Sequence, residues 1–190
     1  MSLLRPFTAS DLFNFNNVNL DPWTETYSVS YYLQYLTYWP SLICLTESPN
    51  HSIMGYVKHL PPPSRAQTPP KNKKKLIRFH FFSGHISAIT VSPSYRQLSL
   101  AKQMMNLIEK VSNLSNSFFV DLFVRVSNSI AIKFYEALGY SVYRRILGYY
   151  DGFGQIDQED AFDMRKSLDA DPKGLCVRSN GREVLVTDLF

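Results

Sequence analysis

The chain has 190 residues, 45% of them hydrophobic, which is enough to build one folded domain around a substantial core. No apolar run approaches the roughly 18 residues of a membrane helix, and the first residues lack the apolar stretch of a signal peptide, so we expect a cytoplasmic protein without a membrane partner. Its two cysteines exclude a disulfide framework, and its net charge of +4 is weighted by one lysine-rich run, 71–75.

The first elements predicted along the chain are a short strand and a helix. The run 3–7 favours a strand, and Pro6 places it at a sheet edge because proline cannot donate the hydrogen bond that a central strand needs. Thr8, followed three residues later by Asp11, forms a loose capping box. This box predicts a first helix that extends to Asn16.

A second helix is predicted from its cap, Ser28 or Ser30, to Trp39, where the following proline ends it. Apolar and aromatic residues occur nearly all round this helix. Burial on most sides is one explanation. The other is that one face meets a partner chain, since tyrosine and tryptophan are favoured at interfaces.

Three strands are predicted next, over 42–47, 53–60 and 76–82. The run 61–75, between the last two, holds five prolines and four lysines and can bury very little. We therefore expect a mobile insertion within a long hairpin. Its lysines leave open a contact with ribosomal RNA or another polyanion, and a purely solvated loop is the alternative.

The stretch 84–114 has the pattern of a strand, a sharp turn and a helix, and the rest of the chain is organised around it. Strand formers run from Ile86 to Val91, but the alternation changes face between Ala88 and Ile89, which one extra residue in a β-bulge explains. From position 100 the apolar residues fall on one face of a helix, and these are Leu100, Met104, Leu107, Ile108 and Val111.

A short loop, 95–101, lies between that strand and that helix. A loop that leads into a helix presents several unpaired backbone N–H groups, and the helix dipole adds a partial positive charge. Such an arrangement favours the binding of a pyrophosphate. The same features occur in ordinary strand–helix units of many folds, and the loop alone leaves that alternative open.

The second half of the chain begins with a strand over 118–126, predicted to be central because both of its faces are mostly apolar. Ser127 or Asn128 then caps a helix. Gly139 suits the left-handed position after this helix, with Tyr140 as the apolar contact that follows it.

Two further strands are predicted over 140–150 and 161–166. The tail from 167 to 190 alternates only weakly, at 183–186. Its role stays open between docking on a partner and fraying.

Two segments carry motifs that point to one enzyme family. Arg96-Gln97-Leu98-Ser99-Leu100-Ala101 fits the pattern Arg/Gln-x-x-Gly-x-Gly/Ala, except that Ser99 replaces the first glycine. Asn128 is followed by Phe134-Tyr135-Glu136-Ala137-Leu138-Gly139-Tyr140. These segments resemble the acyl-CoA-binding motif and the closing motif of the GCN5-related N-acetyltransferases, the GNAT family.

The order of the predicted elements matches the fold of that family over about residues 1–168, with the tail 169–190 outside it. The expected architecture is α/β (α+β), with a central mixed, mostly antiparallel sheet of about seven strands flanked by about four helices. The sheet is expected to splay at the bulge where CoA binds. The run 61–75 is an insertion in this domain.

The resemblance implies acetyl-CoA as a co-substrate and no metal. The residues that it assigns to cofactor binding are Ile89, Thr90, Val91, Arg96, Gln97, Leu98, Ser99, Leu100, Ala101, Asn128 and Tyr135. It places Asn128 along the pantetheine and Tyr135 near the sulfur. The candidate catalytic residues are Tyr135, His85 and Asn128.

The implied reaction is the direct attack of an amine on a thioester within a ternary complex. An α-amine has a pKa of about 8, so part of it is unprotonated at neutral pH and a weak base or a water chain suffices. Tyr135 is the candidate acid for the leaving thiolate. A backbone N–H near Ile89 to Val91 is the candidate donor to the carbonyl oxygen.

Five longer stretches resemble a narrower group, the catalytic subunits of NatB N-terminal acetyltransferase complexes. They are DLFNFNNVNLDPWTETY, YYLQYLTYWP, FFVDLFVRVSN, LGYSVYR and DMRK. This resemblance implies acetylation of the α-amine of nascent chains that keep methionine and have Asp, Glu, Asn or Gln second. It also implies a large helical-repeat auxiliary subunit as partner, and the ribosome through that subunit.

Recognition of an acidic or amide side chain requires hydrogen-bond donors. The candidate substrate-binding residues are Glu25, Tyr27, His85, Tyr149 and Tyr150. Glu25 either holds the substrate ammonium or caps a turn. A lone histidine on a strand is more often structural, and this alternative stays open for His85.

Two other functions compete with this hypothesis. One is acetylation of lysine or of a small amine, which uses the same CoA site. The other is an inactive acetyltransferase fold that acts as a ribosome- or RNA-binding module through Lys71 to Lys75.

Overall fold

The computed structural model describes residues 2–20, 23–24, 27–60, 83–150, 158–178 and 183–188. Glu25, the insertion 61–75 and the predicted strand 76–82 lie outside these ranges. The chain divides into two compact units. The first comprises Met1–Leu60 and Ile86–Ile108, and the second comprises Pro61–His85 and Glu109–Phe190.

The first unit contains one part of the sheet. Its strands are β1 (Leu3–Pro6), β2 (Ile43–Glu47), β3 (Ile53–Leu60) and the section of β4 (Ser83–Val91) that begins at Ile86. They follow the order β1-β2-β3-β4, and β2 pairs antiparallel with both β1 and β3. Because β1 lies at the end of this order, the edge position predicted from Pro6 is confirmed.

Helix α1 (Val29–Tyr38) begins and ends where the sequence predicts. The Tyr31 N–H donates to the Ser28 side chain at 3.3 Å, so Ser28 is the cap. The predicted burial on most sides is wrong, since α1 buries only Tyr32 and Tyr35. Large side chains on its other faces are exposed, among them Val29, Leu33 and Tyr38.

The predicted first helix is wrong in type. Ala9–Phe13 and Asn16–Val18 form two 3₁₀ turns instead. The capping box exists, because the Thr8 N–H donates to an Asp11 carboxylate oxygen at 2.8 Å. That carboxylate is also bound by Arg5, at 2.8 and 2.9 Å, and the asparagines that follow are weak helix formers, so the turn does not propagate.

An aromatic core holds the first unit together. Phe15 packs edge-on against Phe7 and Tyr32, with ring centroids 5.7 and 5.2 Å apart. The Tyr32 and Tyr56 hydroxyls are 3.1 Å apart, and the Tyr56 hydroxyl also donates to Asn19. The core therefore joins α1, the 3₁₀ turns and β3 through edge-on ring contacts, and the hydroxyls of Tyr32 and Tyr56 are hydrogen-bonded within it.

Helix α2 (Leu100–Leu114) begins where the hydrophobic period changes. Leu100, Met104 and Ile108 are buried on the predicted face, and Leu107 is half-buried. The helix that was predicted to follow the β4 turn is thus confirmed.

The second unit contains the other part of the sheet. Its strands are the start of β4, β5 (Phe119–Arg125), β6 (Ser141–Tyr150), β7 (Glu159–Ser167) and β8 (Glu183–Leu185). They follow the order β4-β5-β7-β6-β8. β7 pairs antiparallel with β5 and β6, whereas β8 pairs parallel with β6.

Helix α3 (Ser129–Ala137) has both of its predicted ends. The Ala131 N–H donates to the Asn128 side-chain oxygen at 3.1 Å, which identifies Asn128 as the cap. Gly139 has a φ of +91°, its N–H donates to the Glu136 carbonyl, and the Tyr140 N–H donates to the Tyr135 carbonyl. These two bonds form the Schellman motif that the sequence predicts.

The mixed, mostly antiparallel sheet is as predicted, and the element counts differ slightly. The described ranges contain eight strands and three α-helices, against expected counts of about seven and four. The additional strand is β8 in the tail, and the missing helix is the one replaced by 3₁₀ turns. No described helix has both the length and the apolar character needed to cross a membrane.

Candidate active site

The loop before α2 contains two residues in the left-handed conformation. Pro93–Tyr95 forms a 3₁₀ turn after β4, and Gln97 and Ser99 then have φ values of 63° and 60°. Glycine adopts such a conformation freely, which explains the glycine of the pattern that this loop resembles. Serine costs about 1 kcal/mol or less in its place.

The backbone N–H groups of this loop are open to a ligand. The first hydrogen bond of α2 runs from the Gln103 N–H to the Ser99 carbonyl at 3.0 Å. Within the described part of the chain, the N–H groups from Gln97 to Ala101 have no acceptor, and Arg96 to Ser99 are exposed. Several donors at the positive end of a helix dipole fit the diphosphate of CoA.

The end of β4 is held firmly before the loop begins. The Thr90 hydroxyl is buried, donates to the Val18 carbonyl at 3.3 Å and lies 3.1 Å from the Thr24 hydroxyl. Gly55 on β3 approaches so closely that a Cβ there would lie 2.7 Å from the Thr90 carbonyl oxygen. Ile89 and Val91 flank Thr90 and are half-buried. The predicted bulge before Ile89 and its role as a donor stay predictions.

Tyr135 is buried on α3, with its ring packed against Phe134 and Tyr140 at centroid distances of 5.4 and 6.1 Å. Among the described residues its hydroxyl has no hydrogen-bond partner. Burial raises the pKa of Tyr135 above its ordinary value, so the hydroxyl keeps its proton at neutral pH. This protonation state suits an acid rather than a base.

The side-chain oxygen of Asn128 is already hydrogen-bonded. Its oxygen accepts the Ala131 N–H of α3, as the cap of that helix. The amide nitrogen keeps two N–H donors, which suit the amide carbonyls of a pantetheine arm. The assigned role along the pantetheine is therefore compatible with the cap.

His85 is oriented by a carboxylate on the neighbouring strand. Its Nδ1 lies 3.0 Å from an Asp121 carboxylate oxygen. Because an ionised carboxylate only accepts hydrogen bonds, Nδ1 carries the proton. Nε2 is then an acceptor in the neutral imidazole and a donor in the imidazolium.

Three of the predicted site residues meet through Phe123. The Phe123 ring lies 5.0 Å from the His85 ring and 4.9 Å from the Tyr149 ring, edge-on in both cases. Tyr149 in turn lies 5.0 Å from Tyr150, whose hydroxyl donates to the Phe123 carbonyl at 3.3 Å. We call these four residues, His85, Phe123, Tyr149 and Tyr150, the Phe123 cluster.

A bulge in β6 presents the two tyrosines. The register with β7 shifts between Ile146 and Tyr150, and Gly148 within this segment has a φ of +61°. The Gly148 N–H donates to Asp160 at 2.7 Å, and the Arg145 Nε donates to the same carboxylate at 2.8 Å. The Gly148 N–H and then Arg145 hold the pKa of the Asp160 carboxyl below its usual range, so the anchor stays ionised.

Tyr27, which belongs to the first unit, stacks on Tyr31 at 4.7 Å. Its hydroxyl donates to the Ser87 carbonyl at 3.5 Å. Beneath these rings lies the fully buried Lys58, whose ammonium is 4.7 Å from the Tyr27 ring and 3.9 Å from the Tyr31 ring. Burial lowers the pKa of Lys58 to about 8. Tyr27 as a substrate contact stays a prediction.

Comparison with known proteins decides the family. A profile described as the acetyltransferase (GNAT) family matches residues 12–140. This chain belongs to the GNAT family. The N-terminal acetyltransferase B complex catalytic subunit naa20 of Schizosaccharomyces pombe is 48% identical over 183 residues, or 95% of this chain and 93% of that protein. The corresponding NAA20 of Arabidopsis thaliana is 44% identical, with 90% and 88% covered.

Solved structures of GNAT proteins agree with this assignment. Chaetomium thermophilum Naa20 in complex with a bisubstrate analogue has a TM-score of 0.87 and 34% identity, with 99% of each chain covered. A NatB acetyltransferase complex bound to CoA and MES has a TM-score of 0.68 and 40% identity, covering 87% of this chain and 99% of that one.

These similarities confirm the predicted fold and chemistry class. As a GNAT-family enzyme, the chain is an acyltransferase that uses acetyl-CoA as its acyl donor. The loop amides before α2 supply a physical reason for this cofactor. No cluster of three or more possible metal ligands occurs among the residues that the structure describes.

Sequence reasoning missed four residues of the site. Asp121 orients His85, Phe123 joins the cluster, and Gly148 with Asp160 forms the β6 bulge. Asp121 left one signal, a lone carboxylate within the apolar run of β5. Such a carboxylate needs a partner, and a histidine on the adjoining strand meets that need. Phe123 left none, because an aromatic residue in a strand is ordinary core.

Proposed function

We propose that this chain is the catalytic subunit of a NatB-type N-terminal acetyltransferase. It transfers the acetyl group of acetyl-CoA to the α-amine of nascent chains that begin Met-Asp, Met-Glu, Met-Asn or Met-Gln. The observation that carries this proposal is the 48% identity to a NatB catalytic subunit over 95% of the chain. The polar tips gathered by the Phe123 cluster support it, because an acidic or amide side chain must be met by hydrogen-bonding groups.

In the proposed reaction the α-amine nitrogen forms a bond to the acetyl carbon while the bond from that carbon to sulfur breaks. The amine loses one proton and the thiolate gains one. Tyr135, whose hydroxyl is protonated at neutral pH, is assigned as the donor to the departing thiolate. A weak base or a water chain suffices to accept the amine proton, because part of the α-amine is already unprotonated at neutral pH.

Side-chain selection is assigned to the Phe123 cluster. His85 and Tyr149 face the second residue of the peptide with an imidazole and a phenol, which donate to a carboxylate or an amide oxygen. Tyr150 contributes differently, because its hydroxyl donates to the Phe123 carbonyl and the Arg125 guanidinium lies 4.1 Å from its ring. Tyr150 is therefore assigned to positioning, with Glu25 and Tyr27 retained as candidate peptide contacts.

An auxiliary subunit is the proposed partner, and α1 offers the surface for it. Four large side chains along this helix and at its end are exposed, namely Val29, Leu33, Tyr38 and Trp39. Exposed aromatic residues favour a protein interface. We assign a helical-repeat subunit to this helix, association with the ribosome to that subunit, and the cytoplasm to the complex.

Four substrates separate the proposed function from its competitors. The purified chain, alone and with an auxiliary subunit, is given acetyl-CoA with a Met-Asp peptide, a Met-Leu peptide, an internal-lysine peptide or a polyamine. The proposal predicts product from Met-Asp at a kcat/KM at least about tenfold above Met-Leu, and none from the lysine peptide or the polyamine. Faster acetylation of lysine or polyamine contradicts it, and so does salt-sensitive RNA binding without any acetyl transfer.

A further inference from the structure

The tail of the chain adds a strand to the edge of the sheet in the second unit. β8 pairs parallel with β6 in the register Arg145 to Glu183, Ile146 to Val184 and Leu147 to Leu185. The pairing ends at Leu147, within the segment from Ile146 to Tyr150 where the register of β6 with β7 shifts. Without β8, this side of β6 would be an edge with unpaired backbone groups just before the two tyrosines.

The residue after β8 packs into the support of the Phe123 cluster. Ile146 and Ala161 are completely buried. Val186 packs against this pair, as do Phe123, Tyr149 and Tyr150. The tail and the aromatic rings therefore share one small apolar core, so a change in Val186 alters the support on which the rings rest.

The path of the tail is fixed before it reaches β8. Asp171 accepts the Leu175 and Cys176 N–H groups at 2.9 and 2.8 Å. The buried Arg165 donates to the Cys176 carbonyl at 3.3 Å and is held by Asp163 at 2.8 Å. Residues 168–178 of the tail are thus held by hydrogen bonds within the second unit.

The segment that gains most from this support is the bulge itself. Between Ile146 and Tyr150 the regular pairing of β6 with β7 is interrupted. Gly148 keeps one bond across the interruption, to Asp160. The regular β6–β7 hydrogen bonds do not fix this part of β6, which carries the two tyrosines. Contacts from β8 and Val186 fix its position instead.

We propose that β8 and Val186 are positioning elements of the peptide site, which hold Tyr150 and the adjoining Tyr149, so that Tyr149 keeps the geometry in which it reads the second residue of the substrate. This inference rests on the proposed function. It assigns to the tail an effect on peptide recognition and none on acetyl-CoA binding. Val186 touches no reacting atom and acts through the rings.

A pair of matched substitutions tests the proposal in the full-length chain with its auxiliary subunit. Val186→Asp places a charge against the apolar support, whereas Thr187→Asp makes the same change at the exposed neighbouring residue. We expect Val186→Asp to raise KM for a Met-Asp peptide about tenfold and to lower the Met-Asp over Met-Leu ratio of kcat/KM by a similar factor. Thr187→Asp and the conservative Val186→Ile should stay within about twofold of wild type.

The KM for acetyl-CoA separates positioning from general damage. It should be unchanged in all three variants. Wild-type KM and wild-type selectivity in Val186→Asp would overturn the proposal, and so would an equal rise of KM for peptide and acetyl-CoA. If Val186→Asp does not fold, Val186→Ala replaces it, with an expected rise of about threefold in peptide KM alone.

Failure of the proposed function has a different signature. A wild-type enzyme that does not prefer Met-Asp over Met-Leu refutes the proposed substrate class before any variant is compared. The positioning role is then still decided by the split between the two KM values, measured with whichever peptide the enzyme accepts.

Discussion

The loop from Arg96 to Ala101 and the Phe123 cluster are built from different parts of the chain. The loop offers backbone N–H groups and leaves the side chains from Arg96 to Ser99 exposed, whereas the cluster offers ring faces and polar tips gathered from three strands. Every amino acid except proline supplies the same N–H, so the loop depends on conformation. The cluster depends on side-chain identity, because only particular residues provide its rings and donors.

Because of this difference, we expect different kinds of substitution to act in the two regions. In the loop, a change that alters φ or removes an N–H should weaken acetyl-CoA binding, and a side-chain truncation should do little. In the cluster, truncation of a side chain should weaken peptide selection, since it removes the group assigned to contact the peptide. Cofactor binding and peptide selection should therefore respond to separate sets of variants.

The largest effect is expected at Tyr135, which belongs to neither region. If it protonates the departing thiolate, Tyr135→Phe should lower kcat about 100-fold while KM for acetyl-CoA changes little. Steady-state kinetics with a Met-Asp peptide measure both constants. An unchanged kcat would contradict the role of Tyr135 as an acid and would leave it a packing role against Tyr140.

The next largest effect is expected on acetyl-CoA affinity, from substitution of Ser99 in the loop. Ser99→Pro removes one N–H and fixes φ near −65°, far from the 60° that Ser99 adopts, so acetyl-CoA affinity should fall by at least about tenfold. Ser99→Gly relieves the left-handed serine and should preserve or improve affinity, by about fivefold at most. Calorimetry with acetyl-CoA gives both values.

Leu98→Ala is the matched control for the loop, because it shortens an exposed side chain and keeps the backbone. It should bind acetyl-CoA as wild type does. If Leu98→Ala weakens binding more than Ser99→Pro, the loop works through side chains and the contrast between the two regions disappears.

The smallest catalytic effect is expected from substitution of Lys58, because this residue mainly affects the pH dependence of stability. Burial lowers its pKa to about 8, while the unfolded chain keeps an ordinary value of about 10.5. Between these values the unfolded state binds more protons, so the free energy of unfolding should rise with pH from about 8 to about 10.5. Lys58→Met should flatten this rise and change peptide KM by less than about threefold.

Urea unfolding at several pH values across that window measures the slope. Lys110→Met, at an exposed lysine on α2, provides the control and should keep the wild-type slope. A rise in peptide KM of tenfold or more in Lys58→Met would instead tie the tyrosines above it, including Tyr27, to peptide recognition.

Features set by neighbouring residues were predictable from the sequence. The Ser28 cap, the start of α2 and the turn at Gly139 each depend on a few adjacent positions, and the structure has all three. The conformation of the loop from Arg96 to Ala101 belongs to this class, since its motif is contiguous, and its role in binding acetyl-CoA stays a prediction. The first helix failed because Arg5 and Asp11 tie the segment into a turn, which a local capping pattern does not reveal.

The proposed peptide site depends on contacts that are distant in sequence. His85 meets Asp121, Phe123 meets Tyr149, and β8 finds β6. Pairing of this kind is set by sheet register, and one residue of slip would turn each side chain to the opposite face. Individual candidates could be named from resemblance, whereas their common support in Phe123, Gly148 and Val186 could not.

The most direct test compares selectivity in wild type and His85→Ala. kcat/KM is measured for Met-Asp and Met-Leu peptides with the auxiliary subunit present, and acetyl-CoA affinity is measured on the same preparations. We expect a wild-type preference of at least about tenfold that His85→Ala largely removes, at unchanged acetyl-CoA affinity, because one buried donor left unpaired costs roughly 1–3 kcal/mol. An unchanged preference in His85→Ala would contradict this expectation and return His85 to a structural role.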